Sequence, residues 1–567
     1  MPSLQFTEGS ARPPSPRAQN KQLLVNVVDG LANYRPDTVW AKIPRNDQTF
    51  QDGFQKVTYS KLANAVNGLA MWLEKRFGKS LNFETLAYVG PWDIRYIITI
   101  LAAVKAGYKM VFPSAAYPAA GLSQLLKRLE CRKFLVASAD FPLASSLSEF
   151  MQLDIHEIPS LMSLLETVVE HYPYEKTFQS ARGEPLVVIH TSGTTGPPKP
   201  ITLTHDWAAA WIQRNQSSVP DGHSSRERFT HGIELCVVAP PNLSSSLFPN
   251  FFGALANQIT VLFPLPTSPL NIDTVMELVR RNDPSMIIAP PFILDNIATN
   301  PSLLEEVAAK VTTIGFGGGP ISKTSGNILA RRFRLMGMYG TSDIGVLHKI
   351  SPAGPWDAGA WNSKSIPRII LIDPFLITTG IMFHPGEGLD FRKVPNEEVF
   401  EAVVVRNRDP EDEQAVFKLF PELQEFSTRD TFMPDPEREG FWMYQGRIDD
   451  ILILSTGDTV NPLEFEDRVS AHSLVAAVSM VGTQRPYTAL LVELEAAACE
   501  DLATSIDQVW ETINDCNNLF PPQIKIERHH VVFVPQGKHL PKSPKGYVQR
   551  KMAMEQFKDE IEKVYTV

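Results

Sequence analysis

Short apolar segments recur along this chain, separated by stretches of helical length, and that alternation narrows the accessible folds more than any other feature. Residues 85–90 (TLAYVG) read as a strand, 94–106 as a helix and 109–113 (KMVFP) as a second strand. Two parallel strands need a crossover of a dozen or so residues, usually a helix, so this order predicts a βαβ unit. Further strand-like runs fall at 186–189, 234–238, 259–263, 286–289 and 313–316, with helical stretches at 272–281 and 303–311. Upstream, Leu62, Val66, Leu69 and Leu73 repeat at helical spacing, and Ser60 is a candidate N-cap for that helix. The expected class is α/β.

A chain of 567 residues exceeds a single core, so at least two domains are expected. The first twenty residues are rich in Pro, Ser and Gly and read as a disordered lead-in. The texture changes near 445, where a charged turn at 435–440 (DPEREG) gives way to the apolar 447–454 (RIDDILIL). The expected division is 1–20 as lead, 21–446 as a large domain and 447–567 as a small one. A charged helix over 552–565 closes the chain, and the stop at Val567 reads as a boundary before a further domain. The net charge of −10 argues against a nucleic-acid surface. No apolar run reaches the ~20 residues a membrane helix needs, and residues 1–20 lack a signal-peptide core. The expectation is a cytoplasmic protein with neither membrane nor nucleic-acid partner. Cys131, Cys236, Cys499 and Cys516 form no CxxC pair, giving little support to a disulfide or cysteine–zinc framework.

The strongest local signal is 187–200 (VVIHTSGTTGPPKP), where a strand runs into a loop of hydroxyls and glycines that ends in one lysine. Gly193 and Gly196 let backbone N–H groups turn toward an anion. Thr191, Ser192, Thr194 and Thr195 add donors, and Lys199 can neutralise a phosphate. The spacing is not the GxxxxGK[ST] of a P-loop, since Pro198 stands five residues after Gly193 and Pro200 follows the lysine.

The order of residues 191–199 resembles the phosphate-binding signature of the adenylate-forming superfamily, which includes acyl-CoA synthetases, luciferases and adenylation domains of nonribosomal peptide synthetases. Other segments match in the same chain order: 317–320 (GGGP), 339–343 (YGTSD), Asp430 with 440–449 (GFWMYQGRID), and 540–550 (LPKSPKGYVQR). The resemblance spans about 58–551. It implies the adenylate-forming fold: a large N-terminal domain of stacked sheets and helices, plus a small mobile α+β C-terminal domain. It also implies ATP-dependent conversion of a carboxylic acid to an acyl-AMP, then transfer to a thiol, either CoA or the phosphopantetheine of a carrier domain.

Site roles follow from the same resemblance. His190, Thr191, Ser192, Gly193, Thr194, Thr195, Gly196 and Lys199 would surround the phosphates, with Gly317, Gly318 and Gly319 beside adenine. Tyr339 would stack on adenine within the segment Gly340, Thr341 and Ser342, and Asp343 would hold Mg2+ where the family usually has Glu. Asp430 would accept from the ribose hydroxyls, Arg447 would donate to ribose or phosphate, and Tyr444 would line that pocket. Asp449 resembles the hinge, with Asp450 as the competing assignment. The family's catalytic lysine directly follows the glycine of the C-terminal motif, but Tyr547 stands there. Lys545 is the assignment made, with Lys542 and Lys551 as alternatives. Asn242, Leu243, Ser244, Gly318 and Met338 would line the acyl pocket. Asn242 falls where the family usually has His, and Leu243 where α-amino-acid adenylation domains carry Asp. An ammonium there would be buried without a counter-charge, so an α-amino acid is disfavoured and an aryl acid preferred. Residues 242–246 serve equally well as a turn and helix cap. The Lys545 motif and 403–409 (VVVRNRD) resemble fungal synthetase-like enzymes and carboxylic acid reductases, which implies a carrier domain in the same polypeptide. A free-standing CoA ligase and a catalytically dead binding module are the competing readings.

Overall fold

A computed structural model describes residues 21–566, apart from 116, 139–140, 192–197, 226–231, 268–270, 318–320, 354–379, 396–397, 410–413, 457–458, 500, 520–523 and 544–547. The expected βαβ unit is present: the strands Thr85–Val89 and Lys109–Val111 pair in parallel, joined by the helix Arg95–Ala106. All twelve residues of that helix are buried, which is why its sequence shows no polar face. It ends at Gly107, whose φ of 83° and close approach to the Ser80 carbonyl suit a residue without Cβ.

This unit belongs to a six-stranded sheet in the order Asp154–Glu157, Lys133–Val136, Thr85–Val89, Lys109–Val111, Pro185–Thr191, Lys199–Thr204. It is parallel except for the last pair. A second sheet of seven strands runs Arg334–Met338, Thr313–Gly317, Met286–Ala289, Glu234–Val237, Thr260–Leu262, Val39–Pro44, Phe54–Thr58, and again only the last pair is antiparallel. One core cluster contains residues of both sheets and the helices beside them, including Trp40, Tyr88, Phe112, Trp207, Phe251 and Phe252. The helix Tyr59–Phe77 is capped by Thr58 rather than Ser60: Thr58 has extended dihedrals and accepts from Lys61 N–H, whereas Ser60 already lies in the first turn.

A third sheet is antiparallel throughout, in the order Leu389–Lys393, Phe400–Val405, Glu425–Pro434, Trp442–Arg447, Gly380–Phe383, Lys349–Pro352, His223–Ser225. The turn at 435–440 joins two of its strands.

After residue 447 a three-stranded sheet, Val475–Val481, Ala489–Leu494 and Val531–Phe533, is covered on both faces. Leu490 and Val492 pack with Phe465, Val509 and Ile513, while Ala489 and Leu491 pack with Ala553, Phe557 and Ile561. Alternate strand residues thus supply two small cores. The expected closing helix is two, Arg550–Gln556 and Lys558–Tyr565, because Phe557 leaves helical dihedrals as its fully buried ring anchors the joint. Among the described residues no helix is long and apolar enough to cross a membrane. Cys131, Cys236 and Cys516 are buried free thiols, and the Cys499 side chain lies outside the described residues.

Candidate active site

The strand Arg334–Met338 delivers Tyr339 to the third sheet, where its hydroxyl donates to Asp430 Oδ2 at 2.8 Å. Asp430 stands opposite Arg447 in the strand register, with Arg447 Nε 3.9 Å from Asp430 Oδ1. The ring of Tyr339 lies among Phe432, Phe383 and Tyr444, at centroid distances of 5.1, 5.5 and 6.1 Å. Asp430 is almost fully buried, and burial, helped by the nearby Asp450 charge, pushes its carboxyl up to about 6. Hydrogen bonds from Tyr339 and Tyr444 and the Arg447 charge oppose that rise. Burial and the Asp430 charge likewise raise the Tyr339 phenol.

A bulge aims Asp430. Glu401 pairs with Thr431 and Val403 with Ser427, so residues 428–430 oppose Ala402 alone. Arg429 takes a left-handed φ of 60°, Thr428 Oγ1 donates to the Ala402 carbonyl at 2.7 Å, and Asp430 N–H donates to the same hydroxyl at 3.1 Å. Three residues facing one is a local distortion of the kind found beside functional groups. Nothing in the sequence announces it, since Arg429 is not a residue that favours this conformation.

Asp343 lies at the tip of a tight hairpin in which Gly340 pairs with Val346 and Thr341 with Gly345. Two indoles hold that hairpin: Trp207 Nε1 donates to the Asp343 carbonyl and Trp211 Nε1 to the Val346 carbonyl, each at 2.9 Å. Gly345 has φ +75°, and a Cβ there would fall 2.4 Å from Trp211 Cδ1, so neither the turn nor the packing admits a side chain. Burial raises the Asp343 carboxyl, against its own backbone N–H and Arg447. Arg447 therefore acts on both carboxylates. The tryptophans were not singled out in the sequence; the usable signal is two indoles four apart on one helix, His205–Asn215, each needing an acceptor for its N–H.

The Gly/Thr-rich loop joins two paired strands, with Thr191 opposite Lys199. Ser192, Gly193, Thr194, Thr195 and Gly196 lie outside the described residues, and Thr191 is described only in its backbone. Lys199 is exposed where the second strand begins. His190 is buried with Nε2 3.1 Å from the Phe112 carbonyl, and burial lowers its pKa, leaving a neutral ring with Nε2–H as donor. Among the described residues its Nδ1 is then a buried acceptor without a partner. The buried Asp430 carboxyl and the half-buried Asp343 carboxyl fit the ribose hydroxyls of a nucleotide and its cation. Gly317 ends its strand against Met338, while Gly318 and Gly319 lie outside the described residues.

Beside the Asp343 hairpin is a small apolar cavity lined by Trp211, Asn215, Phe248, Pro249, Met336, Met338 and Val346. Met338 is the one lining residue shared with the sequence-based pocket. Asn242 is buried, Leu243 precedes the helix Ser244–Leu247 without a side-chain cap bond, and Ser244 Oγ lies 3.4 Å from Ser342 Oγ. The helix then widens into a π turn, Phe248–Gly253, which brings Phe248 to 5.4 Å from Trp207 and 5.7 Å from Trp211. No charged side chain is among the lining residues, and the Asn215 amide donates to the Trp211 carbonyl at 2.9 Å.

In the C-terminal part, Lys542 pairs with Val548 and Gln549 N–H donates to the Pro541 carbonyl at 2.7 Å. These contacts bracket residues 544–547, so Lys545 and Tyr547 lie outside the described residues. Lys542 Nζ donates to the Ala476 carbonyl at 3.1 Å, and Lys551 is exposed in the helix that follows. Asp449 is in the one-turn helix Ile448–Asp450, with only its backbone described.

Residues 37–369 match the protein family described as AMP-binding enzyme, and residues 449–567 match the AMP-binding enzyme C-terminal domain. A carboxylic acid reductase of Neurospora crassa is 28% identical over 96% of this chain. The adenylate-forming reductase Nps11 of Serpula lacrymans is 25% identical over 85% of it. This chain spans 51% of the first relative's length and 44% of the second's. The solved benzoate CoA ligase of Burkholderia xenovorans superposes with a TM-score of 0.67 at 16% identity, covering 94% of this chain and 99% of the ligase.

Proposed function

The chain belongs to the AMP-binding enzyme family, and from that premise we propose that it activates a carboxylic acid with ATP and passes the acyl group to a thiol. The observation that carries this reading is the meeting of Tyr339, Asp430 and Arg447, with a 2.8 Å hydroxyl–carboxylate bond, beside the Asp343 hairpin. The aromatic group of Tyr339, Phe432 and Tyr444 offers a face for adenine. Asp430 accepts from the ribose hydroxyls, and Arg447 supplies positive charge to the ribose–phosphate side. Lys199 and the segment 191–196 are assigned to the terminal phosphates.

Adenylation brings two anions together, so positioning and placed positive charge are what the protein must supply. The carboxylate oxygen attacks the α-phosphorus, the bond to the bridging oxygen breaks, and pyrophosphate leaves with its electron pair. Mg2+, held through Asp343 directly or through water, supplies charge against the phosphate oxygens when bound. Lys545, on the segment framed by Lys542 and Val548, is assigned to that developing charge. Residues 447–567 are proposed to turn about Asp449, giving a thiol access to the acyl-AMP. The thiolate then attacks the carbonyl and AMP leaves.

The acyl group is assigned to the side of the Asp343 hairpin where Trp211, Phe248 and Met338 meet; the apolar cavity there has room for about one water, so these side chains part to admit it. Indole and phenyl walls without a charged side chain support an aryl acid and offer an ammonium no partner. The relatives' names, carboxylic acid reductase and adenylate-forming reductase, support a phosphopantetheine thiol on a carrier domain as acceptor.

Pyrophosphate exchange into ATP across a panel of carboxylic acids tests the reading. Aryl acids should drive exchange and α-amino acids should not; silence with every acid would end it. Rapid acyl-CoA formation without a carrier would make the protein a CoA ligase instead.

A further inference from the structure

Far along the chain from the nucleotide residues, the turn Arg528–His530 opens the strand Val531–Phe533. Glu527 precedes this turn, and its carbonyl accepts from His530 N–H at 2.8 Å, which closes the turn and gathers three side chains. One Glu527 carboxylate oxygen and one ring nitrogen from each of His529 and His530 lie within 4.8 Å of one another. Among the described residues this is the one group of three or more His, Cys, Asp or Glu side chains so arranged. His529 Nδ1 stands 3.6 Å from Glu527 Oε2, and the two imidazole centroids are 4.2 Å apart.

The cluster is more than a meeting of surface groups. His530 is only 5% exposed and stacks on Tyr487 at 4.0 Å with an 8° interplanar angle, so its ring is fixed. Its Nδ1 is buried without a hydrogen-bond partner, a costly state for a polar atom. Arg528, the cation within the turn, is directed to Asp507 and over the Trp510 ring.

We propose that Glu527, His529 and His530 bind a divalent transition-metal cation, with Zn2+ the ion this donor set fits best. Two imidazoles and one carboxylate suit a borderline ion better than Mg2+ or Ca2+, which favour all-oxygen shells. Three protein ligands leave a fourth tetrahedral position for water. Since the ligands span four consecutive residues, the site is complete within the C-terminal part and independent of nucleotide.

Titration of the untagged full chain with Zn2+ against a chromophoric chelator tests this. One equivalent should bind, Mg2+ in large excess should not displace it, and Zn2+ should raise the melting temperature. His529→Ala and Glu527→Gln, both changes at exposed positions, should each weaken binding at least tenfold while melting like the parent in metal-free buffer. The absence of a bound equivalent, or unchanged affinity in His529→Ala, would overturn the proposal. Loss of binding in His530→Asn with its metal-free melting retained would support it.

Discussion

Asp430 is kept where its charge is poorly solvated, and that sets a trade between stability and nucleotide binding. Its carboxyl titrates near about 6 in the folded chain and near roughly 3.9 when unfolded. Between those values the folded state holds the extra proton, so stability from this group falls as pH rises from about 4 to about 6 and is flat above. Asp430→Asn removes the buried charge and still accepts from Tyr339. At pH 7.5 the variant should therefore be more stable than the parent, by roughly 3 kcal/mol at most, with the difference closing near pH 4. AMP affinity, measured by calorimetry, should fall in the parent as pH drops through about 6, and be weak and flat in the variant. A parent affinity that holds steady to pH 5 would detach Asp430 from the ribose.

At the scale of elements, the buried Arg550–Glu466 pair ties the Lys545 segment to the C-terminal core. Arg550 donates to both Glu466 carboxylate oxygens and to Met480 O, and Glu466 also accepts from Met480 N–H. Glu466→Ala leaves a buried guanidinium without its counter-charge and should cost about 3–5 kcal/mol by denaturant unfolding. Glu466→Leu with Arg550→Met should restore most of that stability. If the pair also positions the segment bracketed by Lys542 and Val548, the double variant will remain at least tenfold slower in pyrophosphate exchange. Recovery of both properties together would make the pair purely structural. Arg550 was visible in the sequence as part of a motif, but its partner 84 residues away was not. The same limit runs through the fold. Parallel strands buried on both faces read as apolar runs, so 85–90 and 286–289 were legible. Most of the antiparallel third sheet was not: strands such as Lys349–Pro352 are short and pair with distant segments, here His223–Ser225. The site divides likewise. Motif residues such as Tyr339 and Asp343 stood out, whereas Trp207, Trp211 and the bulge at 428–430 act through contacts that sequence spacing does not encode.

For the whole molecule, the question is whether residues 447–567 move as a unit. They have two small cores of their own, and specific contacts join them to the preceding sheet. Asn461 Nδ2 donates to the Gln445 carbonyl at 2.8 Å, and Leu463 packs so closely on Gly446 that a Cβ there would lie 2.2 Å from Leu463 Cδ1. Gly446 has φ +103°, and the chain then enters the short turn Ile448–Asp450. The closing bond of that turn runs from Ile451 N–H to the Ile448 carbonyl. Proline at 449 removes neither partner and fixes φ near −65°, a value such a turn accepts. Asp449→Pro should therefore fold and melt like the parent. If 449 is the pivot, freezing its backbone favours one arrangement, and a few residues absorbing the change is how hinges work. One half-reaction, followed as pyrophosphate exchange or as thioester formation from supplied acyl-AMP, should then survive within about twofold while the other falls at least tenfold, a loss of about 1.4 kcal/mol in transition-state stabilisation. Equal loss of both with a lowered melting temperature, or loss of neither, would place the pivot elsewhere, with Asp450 the next position to freeze.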